Sequence, residues 1–362
     1  MRVTLTSVLA LLLVGTAGAA RPANGDSGNA AISGGGRFVA IASSASNLVR
    51  GDTNRVYDVF VRDLRLPATE RVSIGPHGAQ SNARTGLSAI SSDGRFVVMW
   101  SDASNLVAGD TNGVADVFVR DRLRRLTERV SIGPDGQELA AESGQAAISA
   151  NGRYVAFSSG AQLFVRDRAR RTTEAVGRGA MPALSANGQF LGFNDGAGHV
   201  VVRDRTNGST DVVSVDSGGK ALAGTAAVPT ISASGRFVAF LLQARPPDTP
   251  KFEPALYVRD RAARTTTVVA TGVTNPSISA DGRTVAYEGG PAGSTQKVIV
   301  RSLAGGRTDV VGAGTGPSFT GSGPLSSTGR FVAFYTATQV FVRDRLARKT
   351  TLVSVALPGK LG

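Results

Sequence analysis

The chain has no cysteine, only two histidines and one tryptophan, and aromatic residues make up 6% of it. Without thiols there can be no disulfide, no thiolate metal site and no lipidated N-terminal cysteine. His77 and His199 share no motif, and no H-E-x-x-H zinc helix or G-x-S-x-G elbow occurs. Nothing after residue 20 reaches the ~18 uninterrupted apolar residues that a membrane helix needs. Sustained helical periodicity is absent as well, and "GAGTGP" from Gly312 lies between strand patterns rather than before a helix, so it does not read as a nucleotide loop. Acidic residues are in deficit: 27 Asp and Glu face 40 Lys and Arg, for a net charge of +13.

What is present begins with "MRVTLTSVLALLLVGTAGAA". An early Arg2, an apolar run from Val8 to Val14 and small residues ending in Ala17-Gly18-Ala19 form the pattern of a cleaved secretory signal. Residues 1–20 are therefore expected to direct export to the periplasm or the outside and to be removed. Residues 21–29 then form a short N-terminal segment, and residues 356–362 a tail.

Between them the chain repeats itself. "SGGGRFVAIAS" returns as "SSDGRFVVMWS", "SANGRYVAFSS", "SANGQFLGFND", "SASGRFVAFLL", "SADGRTVAYEG" and "SSTGRFVAFYT", with turn glycines at 36, 94, 152, 188, 235, 282 and 329. Each copy is followed by a variant of "VFVRD", whose arginines are Arg62, Arg120, Arg166, Arg203, Arg259, Arg301 and Arg343. A unit reads as four short strands, such as "GLSAIS", "RFVVMWS", "DVFVRD" and "TERVSI", rich in branched and aromatic residues and punctuated by glycine turns. Seven such units predict an all-β fold, a seven-bladed β-propeller of four-stranded antiparallel blades over residues 30–355. Both ends of the repeat fall at blade boundaries. No strand is left to exchange between the first and last blades, so closure by side-chain packing is expected there, at the interface that opens first.

The unit "ISADGRTVAY" followed by "VIVRS" resembles the PD40, or WD40-like, propeller repeat found in TolB-type and many other exported bacterial proteins. The resemblance covers nearly the whole chain after the signal. It implies an exported, stand-alone propeller without the N-terminal α/β domain of TolB, most often a binding or scaffolding module.

The arginines of the repeat invite two readings. Six of the seven "VRD" copies carry an aspartate, at 63, 121, 167, 204, 260 and 344, and six "GR" turns keep their arginine, Gln189 being the exception. A residue placed identically in every blade serves a task that every blade shares, so pairing with carboxylates or turn carbonyls is the first reading. A ring gripping an anionic polymer is the second, with "RDRLRRLT" and "RDRARRTT" in its favour. Nucleic acid is not expected as a partner.

Loop length breaks the symmetry. The connections between second and third strands are long in blades one, two and five, and the links after blades one and two are long on the same face. Long loops on a rigid scaffold are where function concentrates. Blades one and two share "NLVxGDTNxxxD", giving Asp52, Asn54 and Asp58, and Asp110, Asn112 and Asp116. These oxygen donors are either an Asx-type turn leading into the third strand or part of a calcium site completed by backbone and water. Otherwise no cofactor is expected. The sequence reading is thus a monomeric, non-catalytic module binding a protein or a cell-envelope glycan on that face. Its alternative is a carbohydrate-active enzyme, glycosidase or lyase, with a site in the central channel.

Overall fold

The computed structural model describes residues 21–66, 68–244, 253–290, 297–313, 325–336 and 338–357. The signal-like segment, most of the proline-rich loop of blade five and most of "GAGTGP" lie outside them. The repeat forms a seven-bladed β-propeller. Six blades are four-stranded antiparallel sheets in simple sequence order, and three strands of the seventh are described. Blade one consists of β1 (Ser27–Ile32), β2 (Phe38–Ser43), β3 (Asp58–Asp63) and β4 (Ala68–Arg71). Blade two repeats it with β5 (Thr85–Ile90), β6 (Phe96–Ser101), β7 (Asp116–Asp121) and β8 (Leu126–Arg129). The hydrophobic second and third strands are buried between blades, as shown by Val39, Ile41, Phe60, Val97, Met99 and Phe118 at 0% exposure. Fourth strands lie outermost and are largely polar.

The glycine of the first turn meets two demands at once. Gly94 has φ +75°, a left-handed conformation that costs a side-chain-bearing residue about 1–2 kcal/mol. A Cβ there would also lie 2.2 Å from the ring of Phe38 in the preceding blade. The same approach joins Gly152 to Phe96, Gly188 to Tyr154, Gly235 to Phe190, Gly282 to Phe237 and, across the ring closure, Gly36 to Phe331.

Next to these turns, the backbone itself makes a hoop. The amide of Gly34 donates to Ser92 O, Ser92 to Ala150 O, Ala150 to Ala186 O and Ala186 to Ala233 O. Ala233 then donates to Ala280 O, Ala280 to Ser327 O and Ser327 back to Gly34 O, each bond being 2.9–3.0 Å. Seven bonds running in one sense tie all seven blades around the channel.

Closure departs from the expectation of side-chain packing alone. Blade links carry a short antiparallel bridge, Ile74 with Gln80 and Ile132 with Glu138, and Pro22 bridges Val355 in the same way. Ala356 N donates to Arg21 O at 2.8 Å as Gly75 N does to Ala79 O, and Ala23 N donates to Ser354 O. Asn24 N reaches Asn47 Oδ1 as Asn82 N reaches Asn105 Oδ1, both at 3.0 Å. Residues 21–24 and 354–356 therefore rebuild an interblade link between blades seven and one. No strand is exchanged among the described residues.

Candidate functional site

Most of the repeated arginines are committed to the fold. Antiparallel register sets Phe38 opposite Asp63, so the Asp63 carboxylate faces Arg37 rather than its neighbour Arg62. Arg37 forks onto Asp63 at 2.7–3.1 Å, and the pairs Arg95–Asp121, Arg153–Asp167, Arg236–Asp260 and Arg330–Asp344 repeat this. In blade four the shorter Gln189 reaches Asp204 at 3.3 Å. Five of the seven strand-three arginines turn to a fourth-strand threonine in their own blade, as Arg62 does to Thr69 at 3.0 Å and Arg120 to Thr127 at 3.1 Å, whereas Arg203 pairs with Glu174 and Arg301 donates to Val269 O. A further arginine after the aspartate staples neighbouring blades: Arg122 caps Gly94 O, pairs with Glu70 and lies 4.4 Å from the Phe38 ring centroid. Phe38 is thus held between Arg122 and Arg37, a cation–π arrangement repeated at Phe96 and Tyr154.

These pairs carry a pH dependence. Hydrogen bonding from Arg37 and Arg330 lowers the Asp63 and Asp344 carboxyls to about 2. A carboxyl depressed in the folded state adds stability above its unfolded pKa of roughly 4, which is lost as pH falls through the folded value. Acid unfolding followed by circular dichroism should therefore show stability falling between about pH 4 and 2. The Asp63→Asn/Asp344→Asn double variant should show a shallower fall over that window; an unchanged slope would deny these pairs the role.

The six GDTN residues of the sequence reading come together in two matching clusters. Asn54 Nδ2 donates to Asp58 Oδ2 at 2.8 Å, and Ser73 Oγ donates to Asp58 Oδ1. Between the carboxylates sits a guanidinium: Arg71 Nη1 lies 3.1 Å from Asp52 Oδ1, 3.5 Å from Asp58 Oδ2 and 2.7 Å from Gln80 Oε1. In blade two Arg129 Nη1 touches Asp110 at 3.2 Å, Asp116 at 3.3 Å and Glu138, while Asn112 Nδ2 donates to Asp116 at 3.1 Å. Asp110, Asp116 and Glu138 converge closely enough to hold a metal ion, and the Arg129 nitrogen occupies that convergence. Burial pushes the Asp52, Asp58 and Asp110 carboxyls up, and neighbouring carboxylates push Asp52 and Asp110 further.

A different group of residues forms a cleft of about 430 Å³ on the long-loop face, where blades seven, one and two meet. It is lined by Trp100, Tyr57, Tyr335, Arg84, Asp26 and Asn29, with Ala42 among its other walls. Trp100, Ala42 and Tyr335 occupy one repeat position, the penultimate residue of the strand-two motif. Alanine in the middle blade leaves the space between the two aromatic neighbours. Gly86 lets Trp100 lie flat, because a Cβ there would come within 2.3 Å of the indole. The Arg84 guanidinium stacks 4.6 Å from the indole centroid and is 61% exposed. A bulge in β1 gives Asn29 a φ of 40° at the cleft; such bulges re-aim side chains. Beneath, Ser43 Oγ and Ser101 Oγ bond to Asp26 O and Arg84 O, fixing the strand starts that carry these side chains. Tyr335 is pushed up to about 12 by burial and by Glu288, so it remains a hydroxyl donor.

The sequence reading named the face and missed these residues. A signal was there: the single tryptophan falls at a position where the other blades carry Ala, Ser, Asn, Leu, Glu or Tyr. His199 pairs with Asp195 at 2.9 Å in a loop, and His77 sits in a surface turn, so neither joins the cleft.

No family model and no curated protein matches the chain. Solved structures do. The β-propeller domain of the Trilobed protease from Pyrococcus furiosus, described as having an open velcro topology, superposes with a TM-score of 0.59 at 11% identity, over 92% of this chain and 99% of that one. An oligogalacturonate lyase in complex with manganese gives 0.58 at 10%, over 94% and 90%. TolB from Acinetobacter baumannii gives 0.49 at 12%, over 81% and 75%. What is shared is the fold, and this chain is a seven-bladed β-propeller.

Proposed function

We propose that the protein is an exported, non-catalytic binding module whose ligand is a cell-envelope glycan seated in the cleft between blades seven, one and two. The observation that carries this reading is the composition of the cleft. Three aromatic rings offer apolar faces to the C–H face of a sugar, while Asp26, Asn29 and Arg84 offer acceptors and donors for its hydroxyls. Among the described residues no side-chain hydrogen bond engages the Asp26 carboxylate or the Asn29 amide, so both are available to a ligand. The GDTN clusters serve as rigid supports of the same face, with Arg71 and Arg129 standing where a calcium ion would.

Calorimetry of the chain from residue 21 against soluble peptidoglycan fragments and neutral oligosaccharides tests the reading. Tyr57→Ala and Trp100→Ala should each weaken binding at least about tenfold, the size expected for an aromatic anchor. Arg84→Ala should weaken it less. Binding indifferent to all three variants would remove the cleft from consideration.

A second reading, a carbohydrate-active enzyme, draws on Glu288, which stands beside Tyr335 at the same repeat position rather than in the channel lining. This carboxyl is 8% exposed, is pushed up by burial, accepts a hydrogen bond from Asn275 Nδ2 at 2.9 Å and raises Tyr335. A carboxyl raised by burial gives up its proton less readily, the direction a general acid requires. Turnover of any of the same glycans, abolished in Glu288→Gln, would favour it.

A further inference from the structure

At the circumference between blades one and two lies a groove of about 890 Å³, which shares no lining residue with the aromatic cleft. Its construction is specific to these blades. The long loops supply Val49 and Arg50 on one side and Leu106 and Val107 on the other. The link between the blades supplies His77, and Gly75 allows that link to approach, since a Cβ there would meet Asn105 O at 2.2 Å. Strands β4 and β8 border the groove through Thr69, Glu70, Leu126 and Thr127. Each is the last strand of its sheet, so each leaves a backbone edge unpaired.

Charge in the groove is one-sided. Arg50 and Arg125 are exposed and have no ion pair or side-chain hydrogen bond among the described residues. Arg120 and Arg122 add to them, and the one acid on the wall, Glu70, is paired with Arg122. Apolar surface runs alongside, with Leu126 59% exposed and Leu123 in the adjoining turn 76% exposed.

We infer that this groove takes an extended, acidic segment of a partner protein that carries apolar side chains at alternate positions. Free strand edges favour an extended chain, because they supply backbone hydrogen bonds while alternate side chains point into the groove. The unpaired cations select acidic residues. A simple polyanion matches the charge and leaves the surface of Val107 and Leu126 uncovered, and so is the poorer fit.

The probe is a fluorescein-labelled peptide of alternating Glu and Leu, roughly eight residues long and thus strand-length. Its fluorescence anisotropy is read with the chain from residue 21. Saturable binding is expected, weakened about tenfold by the Arg50→Glu/Arg125→Glu double variant. Leu126→Ser should also weaken it, Tyr57→Ala in the separate cleft should not, and an octaglutamate of higher charge should bind less tightly. The inference is overturned if charge reversal changes nothing. It is equally overturned if octaglutamate binds as well as the alternating peptide and Leu126→Ser has no effect, which would make the groove a general polyanion site.

Discussion

Arg129→Met is expected to cost about 3–5 kcal/mol of stability, the range found when one partner of a buried ion pair is removed. Arg129 is 9% exposed and its terminal nitrogen holds Asp110, Asp116 and Glu138 together, with the Asp116 side chain fully buried. Methionine fills much of the space but leaves three carboxylates without their cation. The same substitution opens the place that an ion could take. Calcium should then raise the melting temperature of the variant, while it leaves that of the parent unchanged. Acid should also help the variant through Asp110: a carboxyl already raised by burial binds a proton more readily folded than unfolded, so the stability it contributes falls as pH rises through that range and recovers as pH drops. Thermal unfolding of both proteins with calcium and with chelator checks this. A parent stabilised by calcium to the same degree would show that the guanidinium does not replace the ion.

Gly94→Val should be comparably severe, about 3 kcal/mol or more from left-handed backbone strain together with overpacking. Its Cβ would be forced into Phe38, and the β-branched side chain is poorly suited to φ +75°. Gly109→Val offers the control. That residue has φ +74°, and a Cβ there would find nothing within 4 Å, so it isolates the backbone part of the cost. Urea denaturation should rank the pair clearly, with Gly94→Val the less stable. Equal losses would mean that the Phe38 contact is dispensable.

The fold was legible because its repeat states the same local choices seven times: a turn glycine, an apolar second strand, a third strand carrying "VR". Less visible was the partner of each aspartate. Arg62 and Asp63 are adjacent, yet adjacent strand residues point to opposite faces, so the partner had to come from the paired strand, as Arg37 does. The GDTN loops announced themselves as a matched pair, but the sequence reading missed the cation between their carboxylates, although a signal for it was there. "TERVSIG" occurs after the third strand of blades one and two alone, placing Arg71 and Arg129 only where those loops exist. The aromatic cleft was hidden for another reason. Tyr335 lies far along the chain from Trp100, and it becomes a neighbour of Ala42 only after the ring has closed.

That closing event also has a kinetic side. Six of the seven amide bonds around the channel join blades adjacent in sequence, whereas the bond from Ser327 to Gly34 spans nearly the whole chain. Loop-closure entropy grows with the logarithm of the separation, which adds about 1–2 kcal/mol to that contact relative to the others if it forms from an open chain. Folding that proceeds blade by blade avoids much of this penalty, because six docked blades already hold the two ends close together. The final docking step then resembles an intramolecular binding reaction between preformed surfaces, with the bridge at Pro22 and Val355 acting as its latch.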